Sequence, residues 1–560
     1  MRLGFYIASL YIILIVLPIF VAGQRVLLSP GIYMKLSEGT MILHNADWVN
    51  NGSYSDQNGS VIINGNTNAS GSSVSIFTNL TVKAGATLNL EPRSYTTVKS
   101  AMTVNGNLVL KSTASGTASL IHNTDNVPAV ANRFISGAVE AWHFLSSPVT
   151  TQSINGNWTP AGTYGNGTGY DMYLWNEQTN CWIYQLNTTS TVNWNTTHPG
   201  SNFVPGRGYL YSVQSANPTK DFIGNLNNGN VSYGLTKGSV DENLKGFNFV
   251  GNPYPSTIDW QATSGWTRNN LLSSGGGYDM WIWNPTANNY GVFNSFTGIG
   301  TNSVTRNIAA MQGYFVRATN AGNLILNNSV RVHDISGGWK SAEIIPLMLS
   351  LIVESEADMC FDEVRLFFGY RANEPPSIKL FSNVASAPSL FLPSENVDCT
   401  VRYLTDTIDY PIIPVKFKPG KDGNYTIKSI LDYDNFETVI LEDRQLHLYQ
   451  NLKTIQTYKF SASKTNDAGR FFLHFGLIKN QTDVELTAKI YTEGTGLIVD
   501  LSSIIQDTEV SVYDILGRKI FQEKLQGKIK HTLNFKTGRQ VLIVCLKNPA
   551  GSLSRKIIGS

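Results

Sequence analysis

Cysteine, charge and long apolar runs are all scarce in this sequence, and each scarcity removes a class of protein. Only Cys181, Cys360, Cys399 and Cys545 occur in 560 residues. None forms the close Cys-x-x-Cys pair that a zinc site or a disulfide framework needs. Buried free thiols are the plain expectation for lone cysteines, and Cys545, in the run Val541 to Leu546, reads as part of a buried strand. A bridge between Cys360 and Cys399 requires that they fall on neighbouring strands. Charged residues make up 15% of the chain, and 42 Lys and Arg against 40 Asp and Glu leave +2. That balance excludes a polybasic nucleic-acid binder. The eight histidines, at 44, 122, 143, 198, 333, 447, 474 and 531, include no His-Glu-x-x-His pair. With no Gly-x-Ser-x-Gly elbow and no phosphate-cradling Gly-x-x-x-x-Gly-Lys-Ser/Thr loop, the expectation is no cofactor, no metal and no enzyme.

After the first two dozen residues no apolar stretch is long enough to span a bilayer. Before that, Arg2 precedes an apolar core from Leu3 to Val21 and the small residues Ala22 and Gly23. This is the pattern of a secretory signal peptide, expected to span 1–23 and to be removed near Gly23. An uncleaved anchor is the alternative reading of the same length. No cysteine follows the core, which excludes a lipoprotein anchor there.

What is abundant points to strands. Hydrophobic residues reach 42%, aromatics 11%, and 49 glycines accompany many Asn, Thr and Ser, the usage of pleated strands joined by polar turns. Period-two bursts recur between Val61 and Leu110. Leu80-Thr-Val82 with Leu88-Asn-Leu90 is echoed by Met102-Thr-Val104 with Leu108-Val-Leu110, with Asn64-Gly65 and Asn105-Gly106 as turns. A repeat of 20 to 22 residues suits one coil of a β-solenoid, whose apolar face is buried only by its neighbour; a meander of hairpins is the alternative. A longer repeat follows. Trp142 to Pro148 resembles Phe247 to Pro253, Tyr170 to Asn176 resembles Tyr278 to Asn284, and Gly206 to Tyr209 resembles Met311 to Tyr314, at offsets of 105 to 108. Two copies of one β-sandwich are the economical explanation. The expected fold is therefore all-β and multidomain: a β-solenoid-like region at 24–133, sandwich copies at 134–240 and 241–338, a further sandwich at 339–490, and a C-terminal Ig-like sandwich at 491–560. Strands are expected at Ile344 to Val353, Val364 to Phe368 and Phe471 to Phe475.

Few residues recommend themselves as binding sites. Strand alternation sends Met172 and Leu174 one way and Tyr173 and Trp175 the other, so both faces of the repeated aromatic strand are apolar. Trp175, Trp182, Trp281 and Trp283 are the candidate ligand-facing aromatics, with packing on a neighbouring domain the commoner use of such a face. His143 near Ser146 and Ser147 reads as structural, because the second copy has no such pair. Glu354, Glu356 and Asp358 read as a solvated face. Asp432 to Asn435 and Lys421 to Asn424 read as turns lacking the full oxygen set of a calcium loop.

The C-terminal segment is distinct. From Leu497 on it has ten Lys and Arg against five Asp and Glu, and its strand Val510-Ser-Val512 runs into Tyr513-Asp-Ile-Leu-Gly-Arg518-Lys519. These residues, with Gly538 and the terminal Lys556-Ile557-Ile558, resemble the type A C-terminal sorting domain of cargo of the type IX secretion system of Gram-negative bacteria. The match covers about an eighth of the chain. It departs from the family's Gly-x-Tyr-x-Val pattern by placing Gln540 at the aromatic and Leu542 at the valine. The resemblance assigns the sorting signal to Tyr513, Asp514, Leu516, Gly517, Arg518, Lys519, Gly538 and Lys556. It implies export through the periplasm, recognition by the translocon at the outer membrane, removal of the domain by a sortase-like protease, and either release or attachment of the remainder to anionic lipopolysaccharide. The expectation is a secreted or surface-displayed structural, adhesion-type protein with a glycan or surface partner. A secreted carbohydrate-binding or carbohydrate-degrading protein is the alternative, and paired carboxylates beside exposed tryptophans would mark it.

Overall fold

Short apolar bursts at a fixed spacing stack as parallel coils. The computed structural model describes every residue except 1–18, 23–24, 165–166, 169, 188–189, 239–240, 335–346, 396, 408–410, 432–435, 437, 476–487, 494–495, 503, 505–506, 516–517, 534–539, 549–550 and 559–560. In the first sheet of the solenoid, Thr40–His44, Ser60–Ile63, Val74–Val82, Tyr95–Val104 and Ser119–His122 pair in parallel. In the second, Arg25–Leu28, Asp47–Asn50, Asn66–Ser70, Thr87–Leu90, Asn107–Leu110 and Pro128–Phe134 do so. The result is a β-solenoid of about five turns. Register aligns Met41, Val61, Leu80 and Met102 in one buried row, each such side chain contributing about 1.5–3 kcal/mol by burial. On the outer face Asn68 Nδ2 donates to Asp47 Oδ1 (3.0 Å) and Asn89 Nδ2 to Asn68 Oδ1 (2.9 Å). Gly106 lets successive coils close up, since a Cβ there would lie 2.3 Å from the carbonyl oxygens of Lys83 and Ala86. Within the expected leader, Ile19–Ala22 pair in parallel with Met41–His44; residues 1–18 and 23 lie outside the described residues.

The chain divides into two compact units, Met1–Thr405 with Lys418–Tyr425 and Ser461–Lys464, and Asp406–Phe417 with Thr426–Phe460 and Thr465–Ser560. In the first unit the last coil of the solenoid is covered. Thr219–Asn225 adds antiparallel to Pro128–Phe134, and His333 accepts or donates to both Ser119 Oγ (2.8 Å) and Thr97 Oγ1 (2.9 Å). An exposed ladder edge is thereby removed.

The long repeat appears as two sheets of matching order. In one, Trp142–Leu145, Tyr209–Ser212, Met172–Asn176 and Cys181–Tyr184 are neighbours in that order; in the other, Phe247–Gly251, Gly313–Arg317, Gly277–Asn284 and Asn289–Asn294. The copies meet in a reciprocal seam. Leu145 bridges Gln312 and Arg207 bridges Val250, while Ser146 N–H donates to Met311 O (3.0 Å) and Gly251 N–H to Gly206 O (2.9 Å). Each contact maps onto the other by the offset of 105, the signature of a two-fold, isologous interface. One face of each sheet packs within its own region, Met172, Leu174 and Tyr209 in the first copy and Met280, Tyr314 and Val316 in the second. The other faces share an aromatic core that includes Phe144, Phe249 and Phe315.

The expected region 339–490 is divided between the units. The first holds Met348–Ser355 antiparallel to Phe361–Phe368, which runs parallel to Val397–Leu404. The second holds residues 412–417 of the Ile412–Lys418 strand with Phe471–Phe475, Val439–Asp443 and Leu448–Asn451 as antiparallel neighbours, with Arg470 Nε donating to Asp443 Oδ1 (2.8 Å) in its core. The C-terminal sandwich follows, with Lys489–Glu493, Gly496–Asp500 and Lys530–Leu533 in one sheet. Lys519–Leu525, Thr508–Asp514, Val541–Asn548 and Gly551–Ile558 form the other. Its first hairpin begins at Lys489, so the expected boundary at 491 falls inside a strand.

All four cysteines are free; Cys360 and Cys399 are buried. The expectation of buried thiols is corrected at the other two. Cys181 is exposed, and Cys545 is half-buried because only Leu542, Val544 and Leu546 of its run face the core. Glu356 and Asp358 are solvent-exposed, as read, but lie in a turn after the Met348–Ser355 strand rather than on a strand face, and Asp358 pairs with Lys421.

Candidate functional site

Two places gather residues with chemistry to offer. The first is the tip and outer face of the C-terminal sandwich. Asp514 ends its strand buried, and its carboxylate is held by Arg518. Arg518 N–H donates to Asp514 Oδ1 (2.9 Å), Arg518 Nε to Oδ2 (2.7 Å), and Asp514 N–H to the Arg518 carbonyl (3.0 Å). Of the resemblance-derived residues, Leu516, Gly517 and Gly538 lie outside the described residues. The others converge by register. Tyr513 pairs with Lys519 on one side and Ile543 on the other, and Ile543 pairs with Lys556. Lys519, Tyr513, Ile543 and Lys556 thus form one cross-sheet row, with Lys519 Nζ 5.9 Å from the Tyr513 ring centroid. Ile515 and Ile558, 69% and 72% exposed, add apolar surface at the tip and at the end of the chain. Ile543 is absent from the sequence-derived set; pairing register alone brings it between Tyr513 and Lys556.

The second place is the seam of the two copies. Trp281 is corrected as a ligand-facing residue: it is 1% exposed and its Nε1 donates to the Ile378 carbonyl (3.0 Å), so the indole fills the core. Trp182 and Trp283 are partly buried in the same aromatic core, 5.4 Å from Phe249 and 5.1 Å from Tyr290. Trp175 is also anchored, Nε1 donating to the Phe247 carbonyl (2.6 Å). It alone of the four lines a cleft, of about 210 Å³, with Glu177, Thr197, Arg207, Tyr233 and Asn248. Arg207 Nη1 donates to Thr197 O (3.2 Å), and its guanidinium sits 5.8 Å from the Tyr233 ring centroid. Its buried Nε has no partner. Glu177 is committed to the backbone: its oxygens accept from Gly238 N–H (2.5 and 2.6 Å) and Gly246 N–H (2.7 Å). The cleft therefore offers hydrogen bonds and ring surface, without the second carboxylate that glycoside hydrolysis employs.

His143 is held down to about 4 by burial, with the Arg133 charge adding to it. Ser147 Oγ donates to Val149 O (2.9 Å), and neither His143 Nε2 nor Ser146 Oγ has a hydrogen-bond partner, so no hydrogen bond links the histidine to either serine. Asp422 Oδ1 accepts from Ser463 Oγ (2.9 Å) and Lys464 N–H (2.7 Å), which is turn chemistry; Asp432 to Asn435 lie outside the described residues. Among the described residues no three His, Cys, Asp or Glu side chains converge as metal ligands, and no helix is long and apolar enough to cross a membrane.

The model of a domain of unknown function, DUF8693, matches residues 43–339, more than half of the chain. The chain belongs to the DUF8693 family. No curated protein matches the sequence. The DUF8693 match takes in the solenoid from Leu43, both repeat copies and the Trp175 cleft, and ends before the strands at Met348–Ser355 and the C-terminal sandwich.

Proposed function

We propose that the chain is an exported structural or adhesion-type protein whose C-terminal sandwich is read as an address by the type IX translocon and then removed by a sortase. In this reading the protein passes through the periplasm to the outer membrane. The DUF8693 region is then displayed at the surface, bound to anionic lipopolysaccharide, or released, and performs no catalytic step. The observation that supports it most is the cross-sheet row of Lys519, Tyr513, Ile543 and Lys556. It joins the turn motif and the basic C-terminus, far apart in sequence, on one exposed face suited to recognition of a folded domain. Deleting Gly496 to Ser560 is expected to leave the protein in the periplasm of a type IX-competent cell. Lys519→Glu with Lys556→Glu should do the same with the sandwich still folded, both side chains being exposed. Protease shaving of intact cells reads the outcome, and normal surface display of the deletion would falsify the sorting role.

A second reading, carbohydrate binding, is favoured by the Trp175 cleft, where ring surface, an arginine and amide groups stand together. Glycan-array binding by the mature chain tests it, and loss of the signal in Arg207→Ala would place it in the cleft.

A further inference from the structure

The internal repeat presents the same sheet face in two settings. In the second copy Phe247 and Trp281 meet edge to face (4.8 Å, 73°) and are 0% and 1% exposed. With Val292, which pairs with Trp281, they share one core with Phe367, Ile378 and Val401 of the strands that follow the repeat. In the first copy the equivalent residues are Trp142, Tyr173 and Tyr184, the last pairing with Tyr173. Trp142 and Tyr173 keep the edge-to-face pair (5.3 Å, 69°), Tyr184 is 6.1 Å from Tyr173, and Tyr170 stacks on Tyr184 at 4.5 Å. These rings reach solvent: Trp142 is 44% exposed, and Tyr170, Tyr173 and Tyr184 are each partly exposed. Strand order sets them in a line across the sheet, from Trp142–Leu145 past Tyr209–Ser212 to Met172–Asn176 and Cys181–Tyr184. An exposed group of large aromatic side chains marks an interaction surface.

We propose that this face of the first copy binds a neutral, extended glycan chain of the β-linked glucan class. The covered copy holds Phe, Trp and Val at the three positions; the open copy holds Trp, Tyr and Tyr, each ring ending in an N–H or O–H. An apolar β-face like the one on the second copy would bury those polar tips at a cost. A sugar chain meets both parts of each side chain, with C–H faces on the rings and hydroxyls at the tips. Neither the rings nor Ser212 and Leu210, which pair with Trp142 and Tyr173 from the strand between them, carry a charge, so the matching chain is neutral. Equatorial hydroxyls leave both faces of each glucose to C–H groups, and an extended chain follows a line of rings. The face shares a ligand class with the Trp175 cleft but no residue, so each can fail without the other.

Calorimetric titration of the full mature chain with cellohexaose, maltohexaose and glucose tests it. Cellohexaose is expected to bind, with maltohexaose and glucose weaker by about tenfold or more, since a coiled chain and a single sugar each miss most of the row. Trp142→Ala should weaken cellohexaose by about tenfold, the worth of one stacked ring. Tyr184→Ala, further along the row, should do the same, and Arg207→Ala in the cleft should leave the affinity unchanged; circular dichroism checks that each variant is folded. Absence of cellohexaose binding, maltohexaose or glucose binding as tightly, or unaltered affinity in the two ring variants would each overturn the assignment. Dimerisation in light scattering that Trp142→Ala abolishes would give the face to a second copy of the chain and overturn it as well.

Discussion

His198 is locked in one neutral form by its two neighbours. Its Nδ1 lies 2.9 Å from the Gly200 carbonyl, which only accepts, so Nδ1 carries the proton and Nε2 accepts from the Tyr209 hydroxyl at 2.7 Å. Burial holds its pKa at about 4, against an ordinary value near 6.5. Between those values the unfolded chain binds the proton and the folded chain does not, so stability falls as pH drops from about 6.5 to about 4 and loses nothing more from this group below that. The loss from this residue is at most about 3 kcal/mol. His198→Gln is expected to flatten the pH dependence of the thermal midpoint over that window, measured against wild type at pH 7, 5.5 and 4; an unchanged slope would rule out His198 as a contributor. Single residues were also where the sequence was hardest to read. The apolar run around Cys545 looks uniformly buried, yet one side of that sheet is open, so alternate residues face out. Trp283 and Trp175 occupy equivalent positions in the repeat, and only the three-dimensional packing decides that one lies against Tyr290 while the other borders a cleft.

At the scale of elements, the seam between the copies turns the internal repeat into a physical constraint. Ser146 and Gly251 are equivalent positions that face each other across the reciprocal contacts. A Cβ on Gly251 would lie 2.3 Å from Ser146 Cβ, so only one copy has room for a side chain there. Gly251→Ser is expected to cost about 1–3 kcal/mol by overpacking. Exchanging the two, Ser146→Gly with Gly251→Ser, should recover most of that loss, since the two-fold relation gives the new serine the space the old one left. Denaturant unfolding of the three variants provides the double-mutant cycle; a double variant as unstable as the sum of its parts would show that the positions are not equivalent. The solenoid and the repeat were legible because the same spacing recurs, each coil presenting the same apolar row to its neighbour. The seam was not, since it is made by backbone groups and a glycine that carry no hydrophobic pattern.

For the molecule as a whole, the question is what ends the solenoid. A stack of parallel coils leaves a row of unpaired backbone groups at its last strand, an invitation to join another chain. Here Thr219–Asn225, nearly a hundred residues further on, pairs along all of Pro128–Phe134, and Leu120 N–H finds the Pro255 carbonyl (2.9 Å). Both covers come from the repeat copies, which gives a physical reason for the DUF8693 match to enclose solenoid and copies together. A fragment of residues 24–134 is therefore expected to self-associate through its open edge, as multiples of the monomer mass in light scattering. The same fragment carrying Val130→Lys, a charge on the outer face of that edge strand, should shift toward monomer, because charged edges resist pairing. A monomeric wild-type fragment would mean that the coils close their own end without the copies. Self-association that Val130→Lys leaves untouched would move the sticky surface from the last coil to another part of the fragment.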